Sequence, residues 1–220
     1  MEKRMVAIVD YGAGNLRSVE KALQYLGAET RITGDPKEIL AADHVILPGV
    51  GAFGDAMEHL RRCGLVEVIR QVAAQGTPFL GICLGLQLLF ERSQESPGVE
   101  GLGMLKGEIL RIPEGQGRKI PHRGWNRLVF DHPGRLFAGI PEGTEVYFVH
   151  SYYLRAQDHR IVTASTEYGV SIHASVEQGN VFACQFHPEK SSRWGLKILE
   201  NFIRIEKTVP VFGRMEGEDA

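Results

Sequence analysis

Each short apolar run in the first half of the chain leads into a glycine-containing turn and then into helical periodicity, and that alternation leaves few folds open. "MVAIVDYG" reads as a buried strand, after which Leu16, Val19, Leu23 and Leu26 recur at helical spacing until Gly27 stops the pattern. "AETRIT" supplies a second strand, and "GDPKEILAA" offers Asp35 as helix N-cap with Pro36 at the first helical position. "DHVILPG" is a third strand. After a glycine-rich turn, Met57, Leu60, Leu65, Ile69 and Val72 carry helical patterns forward to a fourth strand, "TPFLGI". Repeated strand, helix, strand units predict an α/β fold with a mostly parallel central sheet and helices on both faces.

From Gly103 the pattern changes to strand-like runs with turns between them: "GMLKGEILRI", "NRLVF", "TEVYFVHSYYL", "RIVTAST", "VSIHASVEQ" and "VFACQF". These predict antiparallel extensions of the same sheet. A last helix carries Leu196, Leu199, Phe202 and Ile203 on one side. At about 150 residues per domain, 220 residues make one large domain or a tight pair. The reading is a single domain over residues 1–205 and a loosely ordered tail over 206–220, which ends "VPVFGRMEGEDA".

Apolar residues make up 43% and charged residues 24% of the chain, which excludes the disordered and fibrous classes. A formal net charge of −2 without long runs of either sign gives no sign of nucleic acid or a membrane surface as partner. "MEKRMVAIVDYG" runs straight into a strand pattern without an apolar signal core, so a cytoplasmic protein is expected. Cys63, Cys83 and Cys184 are an odd number, far apart and without a C-x-x-C pair, which argues against a disulfide framework and a zinc knuckle.

Among them Cys83 stands out. "G-I-C-L-G" (81–85) places it at a strand-to-helix joint between small neighbours, the pattern of a nucleophile elbow with sulfur in place of oxygen. The following helix would aim its N-terminal N–H groups at the thiol and favour the reactive thiolate. A buried structural cysteine fits the local pattern equally well. Gln87 lies one turn further along the same face, a lone amide among Leu84, Leu86, Leu88, Leu89 and Phe90. It caps a buried backbone group or faces a polar ligand beside the thiol.

A cysteine nucleophile needs a base, and an imidazole needs a group to hold its tautomer. "CQFHPEK" offers His187 and Glu189 on one face of an extended segment, with Pro188 ending strand pairing between them. Standing alone, His187 also reads as a satisfied histidine at a strand end. H-x-E opens the zinc deaminase signature as well, but no cysteine follows Glu189 and zinc is set aside. "PGVGAFGD" holds G-x-G-x-x-G at Gly49, Gly51 and Gly54, without the acidic residue that a dinucleotide site places after the next strand. The loop could instead turn N–H groups, together with that of Leu84, towards a developing oxyanion. His122, His150 and His173 fall on separate segments without metal-ligand spacing, and His44, His59, His132 and His159 read as surface residues.

"GICLGLQ" together with "FHPE" resembles the class I (triad) glutamine amidotransferases, whose fold is flavodoxin-like. Within that family "VDYGAGNLRSV", "LPGVGAFGDAM", "PHRGWN" and "VHSYY" are similar to the glutaminase subunits that feed ammonia to a cyclase subunit with a (β/α)8 barrel in histidine biosynthesis. The resemblance covers about 6–203. It implies Cys83 as nucleophile, His187 as general acid and base, and Glu189 as its orienting partner. It also implies Gly49, Val50 and Gly51 in the oxyanion segment with Leu84, and Gln87, Ser151 and Tyr152 around the substrate glutamine. His122, Trp125, Asn126 and Lys190 are expected at or near the partner interface, and no cofactor or metal is expected. Arg123 stands where the family leads one to expect an apolar residue. A glutaminase feeding vitamin or aromatic-amine synthesis would share Cys83 and His187 but lack "GAGNLRS" and "PHRGWN".

Overall fold

A computed structural model describes residues 4–115, 117–130 and 132–208. The elements follow in chain order as β1 (Met5–Val9), α1 (Leu16–Tyr25), β2 (Glu29–Thr33), α2 (Pro36–Ala41), β3 (His44–Gly49), α3 (Phe53–Arg62), α4 (Leu65–Ala74), β4 (Phe79–Cys83) and α5 (Leu84–Leu88). The second half holds β5 (Arg92–Ser93), β6 (Gly107–Arg111), β7 (His122–Arg127), β8 (Glu145–His150), β9 (Tyr152–Ala156), β10 (Val162–Glu167), β11 (Ser171–Gln178), β12 (Val181–Cys184) and α6 (Ser192–Arg204). The tail segment 209–220 lies outside the described residues.

The punctuation read from the sequence forms as the chemistry requires. Gly27 takes φ +82° after α1, and the N–H of Ala28 returns to the carbonyl of Leu23 at 3.1 Å to close the helix end. Asp35 caps α2 by accepting the N–H of Lys37 at 2.8 Å. Gly64, at φ +68°, divides the long helical pattern into α3 and α4.

A seven-stranded sheet in the order β10-β11-β12-β4-β3-β1-β2 forms the centre. β12, β4, β3, β1 and β2 run parallel, while β10 and β11 extend the sheet antiparallel from β12. Alternate residues of β1 serve two cores: Ala7 and Val9 pack with α2, α3 and α4, and Val6 and Ile8 pack with α1 and α6. Both faces are covered, which is why β1, β3 and β4 read as unbroken apolar runs.

Three of the six later runs do not extend this sheet. "GMLKGEILRI" becomes β6 in a small sheet β5-β6-β9, and "NRLVF" begins within β7, which pairs with β8, and touches the central sheet by the isolated bridge of Val129 to Ser165 of β10. "TEVYFVHSYYL" is two strands, broken at Ser151 and shared between the two small sheets. The physical reason is that period-2 alternation fixes which face is buried but not which strand lies alongside. β8 buries Val146 and Phe148 on the α1/α6 side, whereas Leu154 of β9 packs in the opposite core. His44 is also buried rather than superficial: its Nε2 meets the Ile205 carbonyl at 2.9 Å and its ring stands edge-on to Phe202.

The tightest backbone approach is between α5 and β3. A Cβ added at Gly85 would fall inside the carbonyl oxygen of Leu47, and one at Gly81 would lie 2.7 Å from the Gly85 oxygen. Gly85→Ala is therefore expected to cost about 3 kcal/mol, a fall in Tm of roughly 6–12 °C for a chain of this size. Gly64→Ala, where a Cβ would meet open space and only the positive φ is unfavourable, is expected to cost about 1 kcal/mol. Equal losses in thermal unfolding of the two variants would contradict this account of the α5–β3 contact.

Candidate active site

Cys83 is the last residue of β4 and the first before α5, and it has φ +56° and ψ −107°. That conformation is unfavourable for a side chain and costs about 1–3 kcal/mol, so it persists only where packing on both sides determines it. β3 ends opposite, with Gly49 paired to Cys83. A Cβ on Gly49 would lie 2.6 Å from Tyr11 Oη and 2.9 Å from Leu84 Cβ, so glycine lets the two strand ends close up. The Tyr11 hydroxyl donates to the Pro48 carbonyl at 3.1 Å and pins the start of the glycine loop. Burial, and after it the charge of Cys83, pushes the Tyr11 phenol above its ordinary range, so it remains a donor.

His187 follows β12 and opens a 3₁₀ turn, Pro188–Lys190. Two bonds hold that turn against β8 and a third closes it on itself. The His187 N–H donates to the Tyr147 carbonyl at 2.9 Å, Ser191 Oγ donates to the His187 carbonyl at 2.6 Å, and Ser191 Oγ accepts the Tyr147 N–H at 2.9 Å. His187 Nδ1 lies 2.8 Å from Glu189 Oε1, and the two side chains are only 3% and 1% exposed. Because the carboxylate only accepts, Nδ1 carries the proton and Nε2 is left for Cys83; that nitrogen is buried and bonded to no other group. Burial by itself would lower the imidazole's pKa. Hydrogen bonding and charge from Cys83 and Glu189 outweigh it and raise His187 to about 10, so the ring holds a proton at neutral pH.

Cys83 opens into a cavity of about 320 Å³, within the range of small-molecule sites. Val50, Gly51, Leu84, Gln87, Ser151, Tyr152, His187 and Lys190 are among the residues that line it, while Gly49 is buried and does not. The Gln87 amide lies 3.0 Å from the Tyr152 carbonyl and 3.1 Å from Gln185 Oε1, and donates to both. It therefore fixes backbone and neighbour at once. A larger cleft of about 500 Å³ beside Arg70 and Glu100 has no nucleophile among its lining residues.

Of the residues expected at the partner interface, Lys190 is exposed at the cavity rim and Trp125 is 52% exposed. Asn126 is half-buried. His122 is a correction: it is 3% exposed, because it falls on the inward face of β7 and stacks between Phe148 and Tyr168. Arg123, Trp125 and Arg127 share the outward face of that strand.

Sequence reasoning missed Gln185, Glu95, Val149 and the role of His150. Gln185 Nε2 donates to Cys83 Sγ at 3.7 Å, and the Val149 carbonyl lies 3.9 Å from the same sulfur. Gln185 was open to view, since it stands two residues before His187 and alternation puts them on one side. Glu95 lines the cavity and accepts the Phe53 N–H at 2.8 Å, a contact that no local pattern announces. Among the described residues no group of three or more His, Cys, Asp or Glu is arranged to hold a metal ion.

A profile for "Glutamine amidotransferase class-I" matches residues 7–205. "Imidazole glycerol phosphate synthase subunit HisH" of Moorella thermoacetica is 57% identical over 199 residues, covering 90% of this chain and 94% of that protein. The same-named protein of Geobacillus sp. is 52% identical over 205 residues, covering 91% and 97%. Among solved structures, "Structure of PurLQS from Thermotoga maritima" superposes with a TM-score of 0.71 at 24% identity, covering 91% of this chain and 98% of that one. "Crystal structure of glutamine amidotransferase" gives 0.69 at 23%, covering 89% and 98%. These two likenesses establish the fold.

If Glu189 supports the charged ring, His187 in wild type will remain protonated through neutral pH in NMR titration and lose its proton near 10. Glu189→Gln is expected to lower that midpoint and reduce turnover together. The sign follows from the raised value: stability contributed by the charged ring is full below pH 6.5 and is lost as pH rises towards about 10. A ring that deprotonates near 6.5 in both proteins would contradict the assignment.

Proposed function

The chain belongs to the class I glutamine amidotransferases, and we propose that it is the glutaminase subunit of an imidazole glycerol phosphate synthase. The observation that carries the glutaminase chemistry is the buried His187–Glu189 pair acting on a cysteine held in a strained strand-to-helix turn. Relatives at 52–57% identity over nine-tenths of the chain support the particular synthase. The domain is taken as residues 1–205, and the location as the cytoplasm; among the described residues no helix is long and apolar enough to cross a membrane.

Cys83 acts as nucleophile. Its thiolate attacks the side-chain carboxamide carbon of glutamine, and the negative charge moves to the former carbonyl oxygen. The N–H of Leu84 and the Gly49–Val50–Gly51 segment are suited to receive that charge, since both lie beside the sulfur and need no solvent reorganisation. Collapse of the intermediate expels ammonia, which takes the proton held by His187, and leaves a γ-glutamyl thioester. Water then attacks the thioester with His187 as base, giving glutamate and the free thiol. Glu189 keeps the ring oriented through both steps. Gln87, Ser151 and Tyr152 form the wall against which glutamine is held.

Ammonia released in the cleft passes to the partner, a cyclase with a (β/α)8 barrel, which uses it to make imidazole glycerol phosphate and the aminoimidazole carboxamide ribonucleotide. The outward face of β7 and the rim residue Lys190 are the surface assigned to that contact, with Trp125 as its large apolar element. Gly51 has φ +103°, and a Cβ there would meet nothing within 4 Å, which suits this position to a peptide reorientation. A subunit of low activity alone, activated when the partner and acceptor shift the loop, follows from this.

Three outcomes are expected. Cys83→Ala abolishes glutamine hydrolysis while circular dichroism and Tm stay close to wild type; substantial residual turnover would reject Cys83 as nucleophile. Glutaminase turnover by the isolated chain rises on the order of 100-fold with partner and acceptor ribonucleotide, the value of one oxyanion donor; full turnover without them would reject activation. Charge reversal at Lys190 combined with truncation of Trp125 weakens association with the cyclase in titration calorimetry. Unchanged affinity would move the interface elsewhere.

A further inference from the structure

Two histidines beside Ser151 and Tyr152 go unused in the reaction as described: His150, which itself lines the cavity, and His122 behind it. His150 ends β8 and His122 begins β7, paired across the hairpin, and both are buried. Their contacts determine where each proton sits. His150 Nδ1 lies 2.9 Å from the Tyr152 carbonyl, which can only accept, so Nδ1 carries the hydrogen. In a neutral ring Nε2 must then accept, and what faces it at 3.1 Å is His122 Nδ1, which is therefore the donor. His122 Nε2 in turn accepts from Asn126 Nδ2 at 3.3 Å. The orientation of that amide is settled independently: Nδ2 also donates to the Glu167 carbonyl at 3.0 Å, and Oδ1 accepts the Arg127 N–H at 2.8 Å.

Every bond in this row points the same way, from the hairpin to the Tyr152 carbonyl. A proton added to His150 Nε2 would face the N–H of His122, so the pair is consistent only when neutral. Burial drives both rings in that direction, to about 4 for His122 and about 3 for His150. The Tyr152 carbonyl is also the acceptor for Gln87, which reaches Gln185 and through it the Cys83 sulfur. One peptide oxygen thus joins the hairpin to the nucleophile.

We propose that His122 and His150 are positioning residues for glutamine hydrolysis: as a neutral pair of Nδ1–H tautomers they lock the Tyr152 carbonyl, and with it the cleft wall that holds glutamine. This rests on the glutaminase reading given above. The first test does not. Long-range proton–nitrogen correlation spectra of the nitrogen-15-labelled chain at neutral pH are expected to show both rings neutral and protonated on Nδ1. An Nε2–H tautomer or a charged ring at either position would overturn the proposal.

The second test measures steady-state glutaminase kinetics in the complex with the cyclase subunit. His150→Phe removes the donor to Tyr152 and is expected to raise KM for glutamine about tenfold, the worth of one buried hydrogen bond, with kcat changed by less than about threefold. His150→Asn, whose amide replaces Nδ1–H, recovers most of the loss. His122→Phe keeps the stack on Phe148 and Tyr168 and protects the test against a folding defect; it frees His150 Nε2, and both an intermediate rise in KM and a mixed His150 tautomer signal are expected. Unchanged KM in both phenylalanine variants, or His150→Asn no better than His150→Phe, would overturn the proposal while Cys83-dependent turnover left the glutaminase reading standing. Absence of Cys83-dependent turnover in wild type would remove both.

Discussion

The contact on which the site depends is between backbones: the β4–α5 turn lies so close to the end of β3 that Gly49, Gly81 and Gly85 leave no room for a Cβ. A side chain at any of them would lift α5 off the sheet. With the turn pressed down, Cys83 is forced into positive φ, and it sits where the α1/α6 core meets the cavity, buried to 7% exposure but still lining the cleft. The strain, about 1–3 kcal/mol, is held by a parallel sheet packed on both faces, which a free loop could not do. Rigidity of the nucleophile is therefore a property of the sheet.

The same sheet explains how residues a hundred positions apart meet. β12 runs parallel beside β4 with Cys184 opposite Ile82, so the chain leaving β12 emerges next to Cys83. Gln185 touches the sulfur, and His187 is reached two residues later, where Pro188 ends pairing and the 3₁₀ turn brings Glu189 back under the ring. Tyr147 and Ser191 fasten that turn to β8. The hairpin that exposes Trp125 is thus bonded to the backbone of His187, and through His122 and His150 to the wall of the cleft. A partner seated on that hairpin would press on both sides of the site.

Much of this was legible in the sequence because it is local. Apolar runs with glycine and proline at their ends marked β1 to β4, and Asp35 and Gly27 marked helix ends by chemistry that acts within a few residues. The triad was expected because "GICLGLQ" and "FHPE" taken together resemble a family; alone, each left a structural reading of Cys83 or His187 open. What stayed hidden is what folding brings together from afar. Alternation in "TEVYFVHSYYL" does not say that the run breaks at Ser151, and nothing near His44 tells of the Ile205 carbonyl that buries it. His122 was expected near the partner interface because it belongs to "PHRGWN", a resemblance that treats the segment as one, whereas in a strand adjacent residues face opposite ways. Its link to His150 required the pairing of β7 with β8, which no short-range signal specifies.

The central claim is that Cys83 is the nucleophile towards glutamine, and covalent trapping tests it most directly. The complex would be treated with an electrophilic glutamine analogue, with and without excess glutamine, and digested for peptide mass spectrometry. The account predicts one adduct per chain, on Cys83, suppressed by glutamine, with exposed Cys63 and buried Cys184 unmodified. Adduct on Cys63 in place of Cys83, or labelling of Cys83 that glutamine does not slow, would contradict it.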